Sequence, residues 1–315
     1  MLKGRVLVTG GTGLVGRKVV ALLAQSGTDV TSVSLEGGKP EGATKHISQD
    51  LRRFDKCLEL TAGVDTVFHI AGMKTNPAIT AERPASFYAP LLQVNTNVLE
   101  ACRINRVSHV VFTSSIGAYP NLDVLSEDKA YAGEPMDGSP GKAKRVAEEL
   151  IYAYKKEYGL NYRIARLGTV YGEGDNFNPE TGMVIPSLIA KIHRGDNPLS
   201  VWGKGDGIRD FTFSSDIAEG LISLAKYEGE EQLFNIASGV GISIRELVRK
   251  LSEFIAFNYV FDASKPSGQS IRIMNIGRAR KELGYEPKVS LEQGLRATWR
   301  WYQEHNGDKA YDPFK

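Results

Sequence analysis

Three glycines near the start of the chain have the clearest capacity for chemistry. "VTGGTGLVG" (8–16) sets Gly10, Gly13 and Gly16 at G-x-x-G-x-x-G spacing. Glycine permits a tight turn and a close backbone approach to an anion, and the helix that follows offers unpaired N–H groups and a positive dipole end. The turn backbone of Gly10, Thr12, Gly13, Leu14, Val15 and Gly16 therefore suits a pyrophosphate. Its place between a strand-like run and a helix makes the signal strong. Glu36 lies 20 residues after Gly16, where an acid bonds a ribose 2′-hydroxyl, which favours NAD. Lys39 is close enough to meet a 2′-phosphate, so NADP is not excluded.

The elements that position this turn follow from periodicity. "RVLVTG" (5–10) is strand-like, and "VGRKVVALLAQSG" (15–27) has helical spacing ending at Gly27. "DVTSVSL" (29–35), "DTVFHIAG" (65–72), "HVVFTSS" (109–115) and "RIARLGTVYG" (163–172) predict further strands, with a helix over "VNTNVLEACRIN" (94–105). Buried strands alternating with helices predict an α/β fold of Rossmann type, a doubly wound parallel sheet. A smaller C-terminal α+β unit is expected after it. The expected boundaries are 1–172 for dinucleotide binding, with a return near 206–225, and 173–205 plus 226–315 for substrate. "ISIRELVRKLSEFI" (242–255) predicts a helix in the second unit.

Composition narrows the partners. A net charge of +2 without a basic run predicts no nucleic-acid partner. No apolar stretch reaches the roughly 18–20 residues that span a bilayer, so no membrane partner is expected. The N-terminus runs directly into a strand, which predicts a cytoplasmic protein. Cys57 and Cys102 are the only cysteines and form no cluster with histidine, so neither a disulfide framework nor a metal is expected.

The glycine turn, "HIAG", "VNTNVLEAC", "TSSIGAYP", Lys144 and "RLGTVYG" follow one another in order. In this the chain resembles the extended short-chain dehydrogenase/reductases, the NAD-dependent epimerase/dehydratase family, whose members modify nucleotide-activated sugars. "GEGDNFNPETGMVIPSLIAKIHRG" (172–195) and "VWGKGDGIRDFTFSSDIA" (201–218) are most similar to the GDP-L-fucose synthase group within it. The resemblance implies that Asp50, Leu51, Ala71 and Gly72 lie near adenine and ribose, with Asn95 and Val170 as further cofactor contacts. It implies that Ser114 or Ser115 bonds the reacting sugar oxygen and that Lys144 bonds the nicotinamide ribose. Asn176, Val184, Lys191, Trp202, Arg209 and Arg272 would hold the nucleoside diphosphate. Guanidinium forks and an ammonium suit a pyrophosphate.

Three positions depart from that pattern. A tyrosine normally stands four residues before the lysine, one helical turn away on the same face, but in "SPGKAKRVAE" (139–148) that position is Pro140. Ser139 as a cap and Pro140 at the first helical position still predict a helix over 141–158. The cysteine used for epimerisation by the fucose synthases would fall in "SSIGAY", which has none, and its partner histidine at Met183. These departures argue against fucose synthesis itself. Lys144, Lys142, Tyr119, Tyr131, Lys74 or a serine-held water are the candidates to replace the phenol.

Two readings follow. One is an NAD(P)-dependent enzyme acting on a nucleotide-linked sugar, a GDP-sugar by the resemblance, with redox at C4 alone or within epimerisation or dehydration. The other is a non-catalytic dinucleotide- or nucleotide-sugar-binding protein derived from such an enzyme. A homodimer is expected through the helices near 94–105 and 141–158, where Val146, Leu150, Ile151 and Tyr154 form an apolar stripe.

Overall fold

A computed structural model describes residue 2 and residues 4–74, 76–265 and 270–305. The last ten residues of the expected second unit lie outside the described residues. The chain begins β1 (Val6–Thr9), α1 (Gly16–Gln25), β2 (Val30–Ser34), β3 (Lys45–Ser48), α2 (Phe54–Thr61) and β4 (Thr66–His69). Then come α3 (Pro77–Glu82), α4 (Pro84–Ile104), β5 (His109–Ser115), α5 (Gly138–Tyr158), β6 (Arg163–Leu167) and β7 (Thr169–Tyr171). The next elements are α6 (Val184–Arg194), β8 (Leu199–Trp202), β9 (Ile208–Phe213), α7 (Ser214–Ala225) and β10 (Leu233–Ile236). The chain continues with β11 (Gly241–Ser243), α8 (Ile244–Ser252), β12 (Tyr259–Asp262), β13 (Ile271–Arg272), α9 (Gly277–Leu283) and α10 (Leu291–Glu304).

Seven strands form one sheet in the order β10-β6-β5-β4-β1-β2-β3, and every pairing in it is parallel. Parallel strands need crossover connections, and a sheet covered on both faces reads as continuous apolar runs. That is why Val6, Leu7 and Val8, and likewise Val110, Val111 and Phe112, are all buried. The strand order reverses between β1 and β4, so a crevice opens there at the carboxyl ends of the strands. A second sheet is built on β9, which pairs with β7, β11 and β13, and β8 pairs with β12. Around these strands α6, α8 and α10 bury their own apolar cluster, including Ile189, Leu199, Leu251 and Leu295.

Three sequence expectations are corrected. The return to the main sheet extends beyond 206–225, because Leu233–Ile236 is a fully buried edge strand beside β6. The run 163–172 is two strands in two sheets, divided at Gly168, where an added Cβ would come within 2.9 Å of the Ala237 methyl. Helix α5 begins at Gly138, not after a Ser139 cap, and Asp137 precedes it. Gly138 has φ +47°, a left-handed turn into the helix that glycine adopts readily. Of the expected apolar stripe, Ile151 and Tyr154 are buried inside the chain, whereas Val146 is 41% exposed.

Candidate active site

The glycine turn closes on the strand across the crevice. Gly10 has φ +69°, and a Cβ there would lie 2.9 Å from the Ala71 backbone. At Gly16 a Cβ would lie 2.8 Å from the backbone of Gly10 and Gly11, so helix α1 can start against the turn only without a side chain. The Thr12 hydroxyl donates to the Glu36 carboxylate at 3.2 Å, which places Glu36 at the mouth of the turn. Asp50 is spent on a fork to Arg52, at 2.7–3.0 Å. The Leu51 carbonyl accepts from Asn97, and the Leu51 side chain is buried.

At the crevice floor the hydrogen bonds fix a tautomer. The Thr9 hydroxyl accepts from the Ile70 and Ala71 N–H groups, so its single proton goes to His69 Nδ1, 2.8 Å away. His69 Nε2 then carries the ring proton and donates to Asn95 Oδ1 at 3.2 Å. Burial, with the nearby Lys144 charge adding to it, pushes the His69 pKa down to about 3, so the ring is neutral. Asn95 is 1% exposed, and its Nδ2 has no partner. An orphaned buried donor of this kind calls for a ligand or water. With the glycine cradle, it fits a bound dinucleotide.

Lys144 projects from α5 to the carboxyl end of β5. Its Nζ donates to the Thr113 carbonyl at 2.8 Å and lies 4.7 Å from the Phe112 ring centroid. A Cβ added at Gly72 would come within 3.7 Å of the same Nζ, so Lys144 faces the segment that follows β4. Burial lowers its pKa to about 8, with Glu148 partly opposing.

The two candidate serines separate by strand alternation. Ser114 is 4% exposed and donates to Glu148, so it is turned away from the crevice into the interior. Ser115 is half-buried and its hydroxyl accepts from Gly117 N–H. Glu148 forms an ion pair with Arg166 at 2.6 Å, with both side chains fully buried, and also accepts from the Tyr131 hydroxyl. This knot seats α5 on β5 and β6. Glu148 follows Lys144 by one helical turn, and that spacing was its only sequence signal.

The candidate replacements for the phenol are brought to different places. Tyr119 is buried and donates to Asn235, and burial raises the pKa of both Tyr119 and Tyr131. Lys142 points outward toward Glu134 at 3.5 Å. Lys74 donates to the Val170 carbonyl and to Asp175 Oδ1, both at 2.9 Å. The carbonyl of Val170, expected among the cofactor contacts, is thus already bonded to Lys74.

The loop that carries the expected substrate residue Asn176 crosses from the glycine turn to Lys74 through residues 173–175, which the sequence does not single out. Glu173 pairs with Lys18 in the first turn of α1. At Gly174, with φ +73°, any side chain would collide with the Arg17 guanidinium. Arg17 in turn donates to the Thr12 carbonyl at 2.7 Å. Asp175 completes the crossing through Lys74. Asn176 is buried, donating to Thr181 and accepting from Asn178 N–H, so its side chain shapes the loop.

The remaining substrate candidates form two groups. Arg209 and Arg272 are register partners on β9 and β13. Burial lowers the Arg209 pKa to about 10, and the Arg272 charge adds to the effect. Arg272 is held by Asp137, at 2.6 and 3.2 Å. The second group is Lys191 with Trp202, the ammonium 5.9 Å from the indole ring and the indole 46% exposed. Val184 is half-buried at the start of α6. Among the described residues no group of three or more His, Cys, Asp or Glu side chains could hold a metal, and no helix is long and apolar enough to cross a membrane.

Comparison with known proteins agrees with this architecture. "Probable GDP-L-fucose synthase 1" of Oryza sativa subsp. japonica is 30% identical over 317 residues, covering 96% of this chain and 93% of that protein. GDP-L-fucose synthase of Escherichia coli K12 is 28% identical, covering 97% and 98%. The solved UDP-glucose 4-epimerase of Thermotoga maritima with UDP-glucose is 26% identical at a TM-score of 0.83, covering 96% and 99%. MoeE5 with UDP-glucuronic acid and NAD is 27% identical at 0.82, covering 96% and 99%. The model of the NAD dependent epimerase/dehydratase family matches residues 6–237, from β1 to just past β10. The chain belongs to the NAD dependent epimerase/dehydratase family.

Proposed function

We propose that this chain uses NAD to modify a nucleotide-activated hexose, GDP-linked, by oxidation and reduction at C4, alone or as a step within epimerisation or dehydration. One observation carries the reading. The crevice at the strand-order reversal has the glycine cradle on one side, and Lys144 and Ser115 stand at the carboxyl end of the neighbouring β5.

The turn from Gly10 to Gly16 and the start of α1 hold the pyrophosphate through backbone N–H groups, and Glu36 holds the adenosine ribose diol. When bound, NAD supplies a reversible hydride acceptor. Ser115 orients the reacting sugar hydroxyl. Lys144, poised with a pKa near 8, bonds a ribose hydroxyl and stabilises negative charge as it develops on oxygen. Arg209 and Arg272 take the diphosphate, and the exposed Trp202 with Lys191 offers the nucleobase a ring face beside a cation. The outward Val146 on α5 supports pairing of two copies through this helix.

The test is incubation with NAD and a panel of GDP- and UDP-hexoses, following reduced-nicotinamide absorbance, product mass and exchange of sugar hydrogens with solvent. Conversion or exchange with a GDP-hexose is expected and should disappear in Lys144→Met. Tight binding of NAD and GDP-hexose without conversion or exchange would instead establish the binding-only reading, which Pro140 at the usual phenol position favours.

A further inference from the structure

The geometry points to Asp137 as the group that exchanges the proton of the reacting sugar hydroxyl, doing the work of the missing phenol; this rests on the function proposed above. An aspartate preceding a helix ordinarily spends its carboxylate on the first free N–H groups. Asp137 precedes α5 and makes no such side-chain bond. Its carboxylate lies instead against the α-carbon of Gly117, where an added Cβ would come within 2.6 Å of Asp137 Cγ. Only glycine leaves that space open. Gly117 N–H in turn donates to Ser115 Oγ at 3.1 Å, and its carbonyl accepts from Asp137 N–H at 3.2 Å, so Gly117 alone bridges Asp137 to the serine assigned to the reacting oxygen.

The helix brings the carboxylate to the right face. Gly141 and Lys144, spaced i, i+3, share one face of α5, and Gly141 N–H donates to the Asp137 carbonyl at 3.3 Å, which ties the aspartate to the start of that helix. Gly141 packs against Gly117, an added Cβ lying 3.0 Å from its carbonyl carbon, while Lys144 reaches the Thr113 carbonyl. On its other side Asp137 meets Arg272, whose neighbour in register is Arg209. The carboxylate thus lies between the residues assigned to the reacting hydroxyl and those assigned to the diphosphate. A hexose joining the two must pass it. The Asp137 side chain keeps 29% of its surface exposed.

Lys144 cannot readily replace the phenol as acceptor below about pH 8, because as an ammonium it has no lone pair. A carboxylate oxygen, by contrast, offers lone pairs that can accept the proton. In the oxidising direction bound NAD would accept the C4 hydrogen with its bonding pair as hydride, and the O4–H bond would break. The proton goes to an Asp137 oxygen, and the electron pair of the O–H bond closes C4=O; the return step reverses each transfer. Arg272 holds the carboxylate until the anionic diphosphate competes for the guanidinium, so substrate binding itself loosens the internal pair.

The experiment compares wild-type protein with Asp137→Asn and Asp137→Glu. Calorimetry measures binding of NAD, GDP and UDP, and turnover is measured with the nucleotide sugar found active. In Asp137→Asn, NAD affinity should stay within about twofold. GDP or UDP should bind about 3–10-fold more tightly, because Arg272 loses its internal competitor. Turnover should fall by about 100-fold or more, as expected for removal of a general acid–base, with partial recovery in Asp137→Glu. Weaker diphosphate binding in Asp137→Asn would show that Asp137 merely positions Arg272 and would overturn the inference, as would turnover within about threefold of wild type. Wild-type protein that binds NAD and nucleotide sugar but converts and exchanges none would overturn the parent reading and this one together.

Discussion

Two strand-to-helix junctions face the same crevice and are built by opposite means. Between β1 and α1, the turn is made of backbone: Gly10 and Gly16 pack against main chain where no side chain would fit, and the charged Arg17 and Lys18 brace the turn from the adjoining loop. Between β5 and α5, the junction is made of side chains: Lys144 on a strand carbonyl, Asp137 on Arg272, Glu148 on Arg166. A backbone cradle tolerates variation in everything but its glycines. A side-chain constellation can lose one member, as with Pro140, and keep its helix, because the parts that seat the helix differ from the parts that face the cleft.

That separation can be broken from the α5 side first. Arg166→Met leaves the Glu148 carboxylate buried without its guanidinium, which should cost about 3–5 kcal/mol of folding stability in urea titration. The paired change Arg166→Met with Glu148→Leu should recover most of that loss while leaving NAD binding intact. From the other side, Gly16→Val puts a side chain against the backbone of Gly10 and Gly11. NAD affinity by calorimetry should drop more than about 100-fold, roughly 2.7 kcal/mol. If Arg166→Met weakened NAD as much as Gly16→Val does, the two junctions would be one cooperative unit and the contrast would fail.

The difference in construction also decides what a reader of the sequence can find. The glycine turn is legible because its requirement is local: three residues at fixed spacing dictate one backbone path, and Glu36 follows at a set distance. The Asp137–Arg272 pair joins residues 135 apart in the chain, and nothing in "EPMDGSPG" marks the aspartate as unspent. Ser114 and Ser115 look equivalent until strand parity turns one inward to Glu148 and leaves the other beside Gly117. A boundary at 226 leaves β10 outside the main sheet, because four buried residues, "LFNI", carry no periodicity that says which sheet they join. The loop from Glu173 to Asp175 reads as polar punctuation, although its three residues meet Lys18, Arg17 and Lys74.

A titration sharpens the comparison further. Burial sets the Lys144 pKa at about 8, below the roughly 10.4 of an exposed lysine in the unfolded chain. Between those values the unfolded chain holds a proton that the folded chain has released. Wild-type stability should therefore rise with pH across that window relative to Lys144→Met, by about 1–3 kcal/mol. Below pH 8 both states are protonated and the full penalty of the buried ammonium persists. Urea midpoints of the two proteins at pH 7, 9 and 10.5 give the comparison; a constant difference would mean that the amine is solvated and that the α5 junction is looser than its hydrogen bond to Thr113 implies.

The smallest effect concerns Pro140 itself. It is the third residue of α5, counted from Gly138, and the first N–H groups of a helix have no partner four residues back, so proline forfeits no helical hydrogen bond there. Its fixed φ restricts the unfolded chain, and Pro140→Ala should lower stability by about 0.4–1 kcal/mol through that entropy alone. Pro140→Tyr should carry a similar cost and also place a phenol one turn before Lys144 on the same face. If Asp137 already exchanges the proton, that phenol should change turnover by less than about threefold in the wild-type background and raise it in Asp137→Asn. A large gain in the wild-type background would mean that the carboxylate does not do the phenol's work. Proline would then be a helix start that cost this site its acid, and the side-chain junction would prove less tolerant of a missing member than the buried knot behind it suggests.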